Sequence, residues 1–272
     1  MQPDPQLLQQ WAQWTGRHAL PLFSALLAVT LAMTYSCWRI VRQYSGSEFR
    51  FAQLPAHFSS MRMVVGLTVM LLGSFLFAEL AGELGAAESL DLMDRAFSEA
   101  LLDSVTTPVV QTFAVLTHFG DTATLTGLCI AMAIALVTFG RCWLMLGWVV
   151  AVAGNGLLNA TLKQMFARVR PRGLDGLTLA DGFSFPSGHS SGSLVAYGML
   201  AYLALRLLPL RWHLSALLLA MALAFTVGSS RIFLRVHFAS DVIAGFASGA
   251  AWLAACVTAI EIVRWNHHRR HG

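Results

Sequence analysis

A short polar segment, SSRIFLRVHFASD at 229–241, lies between two of the most apolar runs of the chain. His237 and Asp241 are four residues apart, so on a helix they are neighbours. The carboxylate can then accept the Nδ1–H of the imidazole and leave Nε2 as a free nucleophile or base. Arg231 adds a planar guanidinium that suits phosphate oxygens. A buried ion pair between two helices is the structural alternative, but ionisable groups among apolar segments are costly and usually functional.

A second polar segment, FPSGHSSGS at 185–193, has the composition of a helix start. Pro186 suits the first turn, Ser187 can cap it, and Gly188 lets another group approach the backbone closely. Free N–H groups at a helix N-terminus bind anions, and His189 stands beside them with an unperturbed pKa near neutrality. The segment therefore indicates an anion site with a proton donor, although an ordinary capped helix with a surface histidine is the alternative.

A third segment, LKQMFARVRPR at 162–172, contains the single lysine of the chain, Lys163. Arg170 follows seven residues later, about two helical turns, and shares its face if the helix continues to Pro171. Two cations on one face favour an anionic ligand. Snorkelling of both side chains at a helix end is the alternative, and this segment alone does not exclude it.

Three further arginines near these segments have less specific interpretations. We expect Arg168 and Arg172 to snorkel or to contact lipid headgroups. Arg235 could pair with Asp241, contact a headgroup or reach water.

The composition indicates that these segments belong to a membrane protein. The chain has 272 residues, of which 56% are hydrophobic and 12% charged, against about 25% charged in soluble domains. A bilayer crossing needs about 20 apolar residues. The sequence therefore predicts an all-α polytopic bundle with seven crossings, at 19–38, 63–80, 122–140, 142–162, 190–208, 214–230 and 242–263.

Basic residues predict the orientation of the bundle, because positively charged loops stay in the cytoplasm. They lie in the loop 39–62, at Arg141, at the Arg206/Arg211 pair and in the tail from Arg264. This pattern places the N-terminus outside and the C-terminus in the cytoplasm of a plasma or inner membrane. All three polar segments then lie at the outer ends of crossings, so they can converge on one pocket that faces the exterior or periplasm.

The chain divides into an N-terminal segment with one crossing and a basic loop (1–60), a membrane core (61–264) and a cytoplasmic tail (265–272). Apolar residues at helical spacing over 90–101 predict an amphipathic helix on the outer surface. Such a helix could cover the ends of the other helices or border an entrance for a lipid.

The sequence does not indicate binding of nucleic acid or metal, or the transport of a solute. The net charge of +4 is spread over loops, which argues against nucleic-acid binding. The four cysteines lie in or beside apolar helices without metal-ligand spacing, so neither a disulfide framework nor a metal site is expected. A transporter would place its charges near the middle of helices, whereas here they cluster at one side. The sequence does not indicate an oligomeric state.

The three segments together resemble the three-part signature of the type 2 phosphatidic acid phosphatase superfamily. The matching patterns are K-x6-RP from Lys163, PSGH from Pro186, and SR-x5-H-x3-D from Ser230. The resemblance covers about 60–263 and implies a six-helix membrane core, to which this chain adds one N-terminal helix. That helix could be an anchor, a partner surface or a flank of the lipid entrance.

The resemblance also implies roles for single residues. His237 would be the nucleophile that forms a phosphohistidine, Asp241 its orienting partner, and His189 the acid that protonates the leaving group. The phosphate cradle would consist of Lys163, Arg170, Ser187, Gly188 and Arg231. Such enzymes need no metal or other cofactor.

The activity implied is hydrolysis of a membrane lipid phosphate or pyrophosphate at the outer face. The substrate classes are undecaprenyl pyrophosphate, phosphatidylglycerophosphate and phosphatidic acid. Transfer of the phosphate to a lipid acceptor from the same site is the alternative.

Overall fold

Helices make up nearly all of the ordered secondary structure in a computed structural model, which describes residues 5–44, 56–84, 88–171 and 182–271. No strand occurs in those ranges. The α-helices are α1 (Pro5–Arg17), α2 (Ala19–Tyr44), α3 (Ala56–Gly82), α4 (Glu88–Ser104), α5 (Thr107–Leu116), α6 (Thr122–Thr138), α7 (Cys142–Phe166), α8 (Gly188–Leu207), α9 (His213–Phe233) and α10 (Ala239–His271).

Six helical stretches in the described ranges are long and apolar enough to cross a membrane. They are Ala19–Tyr44, Met63–Gly82, Thr107–Thr138, Cys142–Phe166, Leu210–Phe233 and Ala239–Asn266. The remaining predicted crossing, 190–208, corresponds to α8. This helix has 20 residues but is less apolar than the other six, because it contains several serines and glycines. The prediction of an all-α polytopic membrane bundle is confirmed.

Helix α8 is the central element of the bundle and contacts α7, α9 and α10. Small residues allow its close approach to α10: a Cβ at Gly245 would lie 2.5 Å from the carbonyl oxygen of Ser187, and one at Gly249 would lie 2.9 Å from the Cα of Ser191. Such contacts between small residues are typical of membrane helices. They hold the PSGH segment against the helix that carries Asp241.

Helices α1 and α4 pack against each other at one end of the bundle. We call it the site end, because α7 reaches it at Lys163. A Cβ at Gly16 would lie 2.5 Å from the carbonyl oxygen of Phe97, and Ser104 Oγ donates to the carbonyl of Gly16 over 3.1 Å. The amphipathic helix predicted over 90–101 is therefore present as α4, and it partly covers the bundle. Helix α1 was not predicted, although Leu7, Leu8, Trp11 and Trp14 recur at helical spacing before the first crossing.

Helix α7 ends earlier than the sequence suggested. Ala167 has φ 44° in the left-handed region and closes the helix with a hydrogen bond to the carbonyl of Lys163. The expectation that Lys163 and Arg170 share a helical face is therefore wrong. Arg170 lies instead on the irregular backbone segment that follows the helix.

Candidate active site

His237 and Asp241 form a buried pair at the start of α10. The side chain of His237 is 3% exposed and that of Asp241 is fully buried, with 3.4 Å between His237 Nδ1 and Asp241 Oδ2. The backbone N–H of Phe238 donates to Asp241 Oδ2 over 2.9 Å and holds the carboxylate in this position. The predicted neighbours are thus brought together, with the carboxylate facing Nδ1.

The contact with Arg170 shows which nitrogen of His237 carries the proton. Its Nη1 lies 3.0 Å from His237 Nε2 and 2.8 Å from the carbonyl oxygen of Val236. Because a guanidinium only donates, Nε2 is the acceptor and Nδ1 carries the proton. Burial lowers the pKa of His237 to about 3, against the opposing effect of Asp241. The imidazole is therefore neutral near pH 7, with a lone pair on Nε2, as a nucleophile requires.

Arg168 has a different place from the one that the sequence suggested. Its guanidinium donates to Asp241 Oδ1 over 2.7 Å and to Asp94 Oδ2 over 2.9 Å, and its side chain is only 10% exposed. Although burial acts in the opposite direction, the two carboxylates raise the pKa of Arg168. Arg168 therefore neither snorkels nor reaches headgroups: it links α4 to the partner of His237. Arg172 lies outside the described residues.

The start of α8 is tied to the His237 segment through the backbone. The N–H of Ser187 donates to the carbonyl oxygen of Asp241 over 2.9 Å. Ser187 Oγ caps the helix by accepting from the N–H of Ser190, as predicted. A Cβ at Gly188 would lie 2.9 Å from Asn159 Oδ1, which is why a side chain does not fit there. Ser187 is fully buried, and its part in phosphate binding stays a prediction.

Three cations approach the same cavity from different elements. Lys163 Nζ donates to the carbonyl of Phe183 over 2.8 Å, and Arg231 Nη1 donates to Thr117 Oγ1 over 2.8 Å. The Nε of Arg231 is buried and has no hydrogen-bond partner among the described residues. A buried donor without a protein partner needs explanation, and an anionic ligand would supply one.

The cavity has a volume of about 710 Å³. Six of the eight predicted site residues line it: Lys163, Arg170, Gly188, His189, Arg231 and His237. The other two, Ser187 and Asp241, lie behind these and position them. Residues that are distant in sequence thus surround one point, with three cations and two imidazoles around it.

The cavity continues as a groove between α6 and α7. Val152 and Cys129 line its far part, and Val152 lies about 16 Å along α7 from Lys163. Small residues of α7, including Ala153 and Gly156, keep the groove open. Ile130 lines it and is also 56% exposed, so the groove reaches the surface of the bundle.

Known proteins resemble this chain in sequence and in fold. Residues 144–265 match the PAP2 superfamily. The chain carries a PAP2 superfamily domain. Phosphatidylglycerophosphatase B of Bacillus subtilis (strain 168) is 35% identical over 136 residues, which cover 49% of this chain and 66% of that protein. The match thus spans just under two thirds of that relative.

A solved structure also superposes on this chain. The crystal structure of the first transmembrane PAP2 type phosphatidylglycerolphosphate phosphatase, from Bacillus subtilis, has a TM-score of 0.61 and 28% identity. The superposition covers 71% of this chain and 94% of that chain. The resemblance found in the sequence is therefore confirmed.

Several polar residues around the cavity were not predicted from the sequence. Asn155 and Asn159 are buried in α7, and their side-chain amides lie 3.4 Å from Ser191 Oγ. Two amides four residues apart inside a membrane segment were a usable signal, since polar groups there are costly unless paired. Asp121 and Asp94 reach the site from α6 and α4, and only the tertiary structure shows this.

Proposed function

We propose that this protein is a membrane lipid phosphatase that removes the terminal phosphate of a glycerolipid, with phosphatidylglycerophosphate as its preferred substrate. One observation carries the proposal: His237 Nε2, Lys163, Arg170 and Arg231 surround a cavity that continues into an apolar groove. The polar end suits a phosphoryl group, and the groove suits a lipid chain.

The chemistry follows from the neutral imidazole. His237 Nε2 attacks phosphorus while Arg170, which contacts the same nitrogen over 3.0 Å, moves its donors to the phosphoryl oxygens. The bond from phosphorus to the leaving oxygen breaks as the N–P bond forms, and His189 donates a proton to that oxygen. Water then attacks the phosphohistidine and releases inorganic phosphate. Positive charge around the equatorial oxygens supplies most of the stabilisation of the transition state.

The choice of substrate rests on the groove and on the relatives. Both relatives described above are named for phosphatidylglycerophosphate chemistry. A groove about 16 Å long along α7 holds part of an acyl chain while the headgroup lies at Lys163.

We place the active site on the outer side of the membrane. Arg39 and Arg42 end α2, and Arg141 precedes α7, all at the opposite end of the bundle from His237. Because basic residues favour the cytoplasmic side, the site end faces the exterior or periplasm.

Phosphate release by the purified protein in detergent and EDTA tests the function. The substrates are phosphatidylglycerophosphate, phosphatidic acid, undecaprenyl pyrophosphate and a soluble phosphate ester, with heat-inactivated protein as the blank. We expect release to be fastest from phosphatidylglycerophosphate. Faster release from another lipid would correct the substrate, and transfer of label to added phosphatidylglycerol would indicate a phosphotransferase. No release from any substrate would contradict the proposal.

Two arginines near the site provide a matched pair of variants. Arg231 lines the cavity, whereas Arg235 lies outside it and donates through Nε to Ser98 Oγ on α4 over 3.2 Å. Arg231→Gln should lower kcat/KM by about a hundredfold, since one charged donor to the transition state is lost. Arg235→Gln should lower it by less than about threefold. Equal losses in the two kinetic assays would mean that Arg235 also binds the phosphate.

A further inference from the structure

Asp121 precedes α6 at its N-cap position but does not cap it. Aspartate at this position usually accepts a hydrogen bond from the second or third N–H of the helix. Here its side chain makes no such bond, and the carboxylate turns toward two imidazoles instead. Because the side chain of Asp121 does not make the usual capping bond, another interaction determines its conformation.

The two imidazoles belong to His118 and His189. His118 Nδ1 lies 2.6 Å from Asp121 Oδ2, and His189 Nε2 lies 3.0 Å from Asp121 Oδ1. The backbone between them is also close to the site, since a Cβ at Gly120 would lie 3.0 Å from His189 Cδ2. The order His118–Asp121–His189 therefore runs from an exposed ring, 69% accessible, to the ring that lines the cavity.

The charged groups around His189 indicate what Asp121 does. A general acid must carry a proton before it donates one, but burial, Arg231 and Lys163 lower the pKa of His189 to about 4, and Asp121 only partly opposes that shift. Asp121 is the carboxylate that faces it from α6. The arrangement parallels Asp241 beside His237, so each of the two imidazoles has its own carboxylate.

We propose that Asp121 is a positioning residue that favours the protonated form of His189 and directs its Nδ1 toward the leaving oxygen, and that His118 holds the carboxylate in place. With Nε2–H bonded to Asp121, the proton on Nδ1 passes to the leaving oxygen as its bond to phosphorus breaks. The electron pair of the N–H bond returns to the ring, which becomes neutral. The proton taken up from water in the second half of the reaction restores the imidazolium.

The dependence on the leaving group tests this role. An alkyl phosphate needs a proton on its departing oxygen, whereas p-nitrophenolate departs without one. We expect Asp121→Asn to lower kcat/KM by about a hundredfold for phosphatidylglycerophosphate and by less than about threefold for p-nitrophenyl phosphate. Asp121→Glu should restore part of the loss. His18→Gln, which changes an exposed histidine outside the cavity, is the control and should match the wild type.

Equal losses on both substrates would overturn the proposal, because a purely structural defect does not distinguish leaving groups. If Asp121→Asn does not fold, as thermal unfolding would show, His118→Gln is the second variant. It removes an exposed ring and should selectively lower the activity on the alkyl phosphate by about fivefold, and an unchanged activity would contradict the role of His118. The inference rests on the proposed function, which turnover of both substrates by the wild-type protein tests separately.

Discussion

Replacing His237 with alanine should reduce phosphate release by more than about a thousandfold, because the variant lacks the nitrogen that attacks phosphorus. The protein should still fold. The ring makes one hydrogen bond, with Arg170, and Arg170 keeps its bonds to the carbonyls of Val236 and Gly182. The same variant should still bind the lipid, since the cradle cations are unchanged.

Two measurements check this expectation. Rapid quenching of the wild-type protein with phosphate-labelled lipid should trap label on His237 in a bond that acid cleaves, and the alanine variant should trap none. His18→Ala is the control for loss of an imidazole and should keep full activity. Near-normal turnover of His237→Ala, or label on another residue, would exclude His237 as the nucleophile.

Replacing Arg168 with glutamine should destabilise the protein by about 3–5 kcal/mol, because it leaves two buried carboxylates without their cation. Asp94 and Asp241 are 5% and 0% exposed, and both bond to Arg168. Burial already raises the pKa of Asp94, and Arg168 acts against that rise. Activity should fall as well, since Arg168 also holds the partner of His237.

Unfolding of the detergent-solubilised variants measures this loss. Arg95→Gln is the matched control, because Arg95 pairs with Asp91 on the same helix but is 63% exposed, and it should have almost no effect. Adding Asp94→Asn to the Arg168 variant should recover part of the stability by removing one uncompensated charge. A stable Arg168→Gln protein would contradict this prediction, because it would mean that the two buried carboxylates do not depend on Arg168.

Much of the fold was predictable because a bilayer limits the possible structures. Apolar runs near 20 residues predicted the crossings, and the periodicity over 90–101 predicted α4. Helix α1 was missed although its apolar residues recur at helical spacing, and only the structure shows that Gly16 packs it closely against α4. The end of α7 was also misplaced, because nothing in the local sequence marks Ala167 as left-handed.

The candidate site was predictable where chemistry needs fixed residue types at short spacing. His237 and Asp241 were predicted to be neighbours from their spacing, Gly188 and His189 were predicted to lie at a helix start, and the family resemblance added their roles. Arg168 was misread because an arginine beside a helix end is usually solvated, and its carboxylates come from α4 and α10. The role of Arg235 was left open for the same reason, and its contact with Ser98 spans 137 residues.

By itself, the sequence determined that the protein is a helical membrane bundle, and it singled out six residues that line one polar cavity. Length, hydropathy and local spacing contain that information, since each depends on residues within a few turns of one another. The tertiary structure alone decided which carboxylate faces which cation or imidazole, with Asp94 on Arg168 and Asp121 on His189. Those contacts depend on how the helices pack. A charge buried at the end of one helix is stabilised by a partner on another helix, and that partner must lie within about 3 Å.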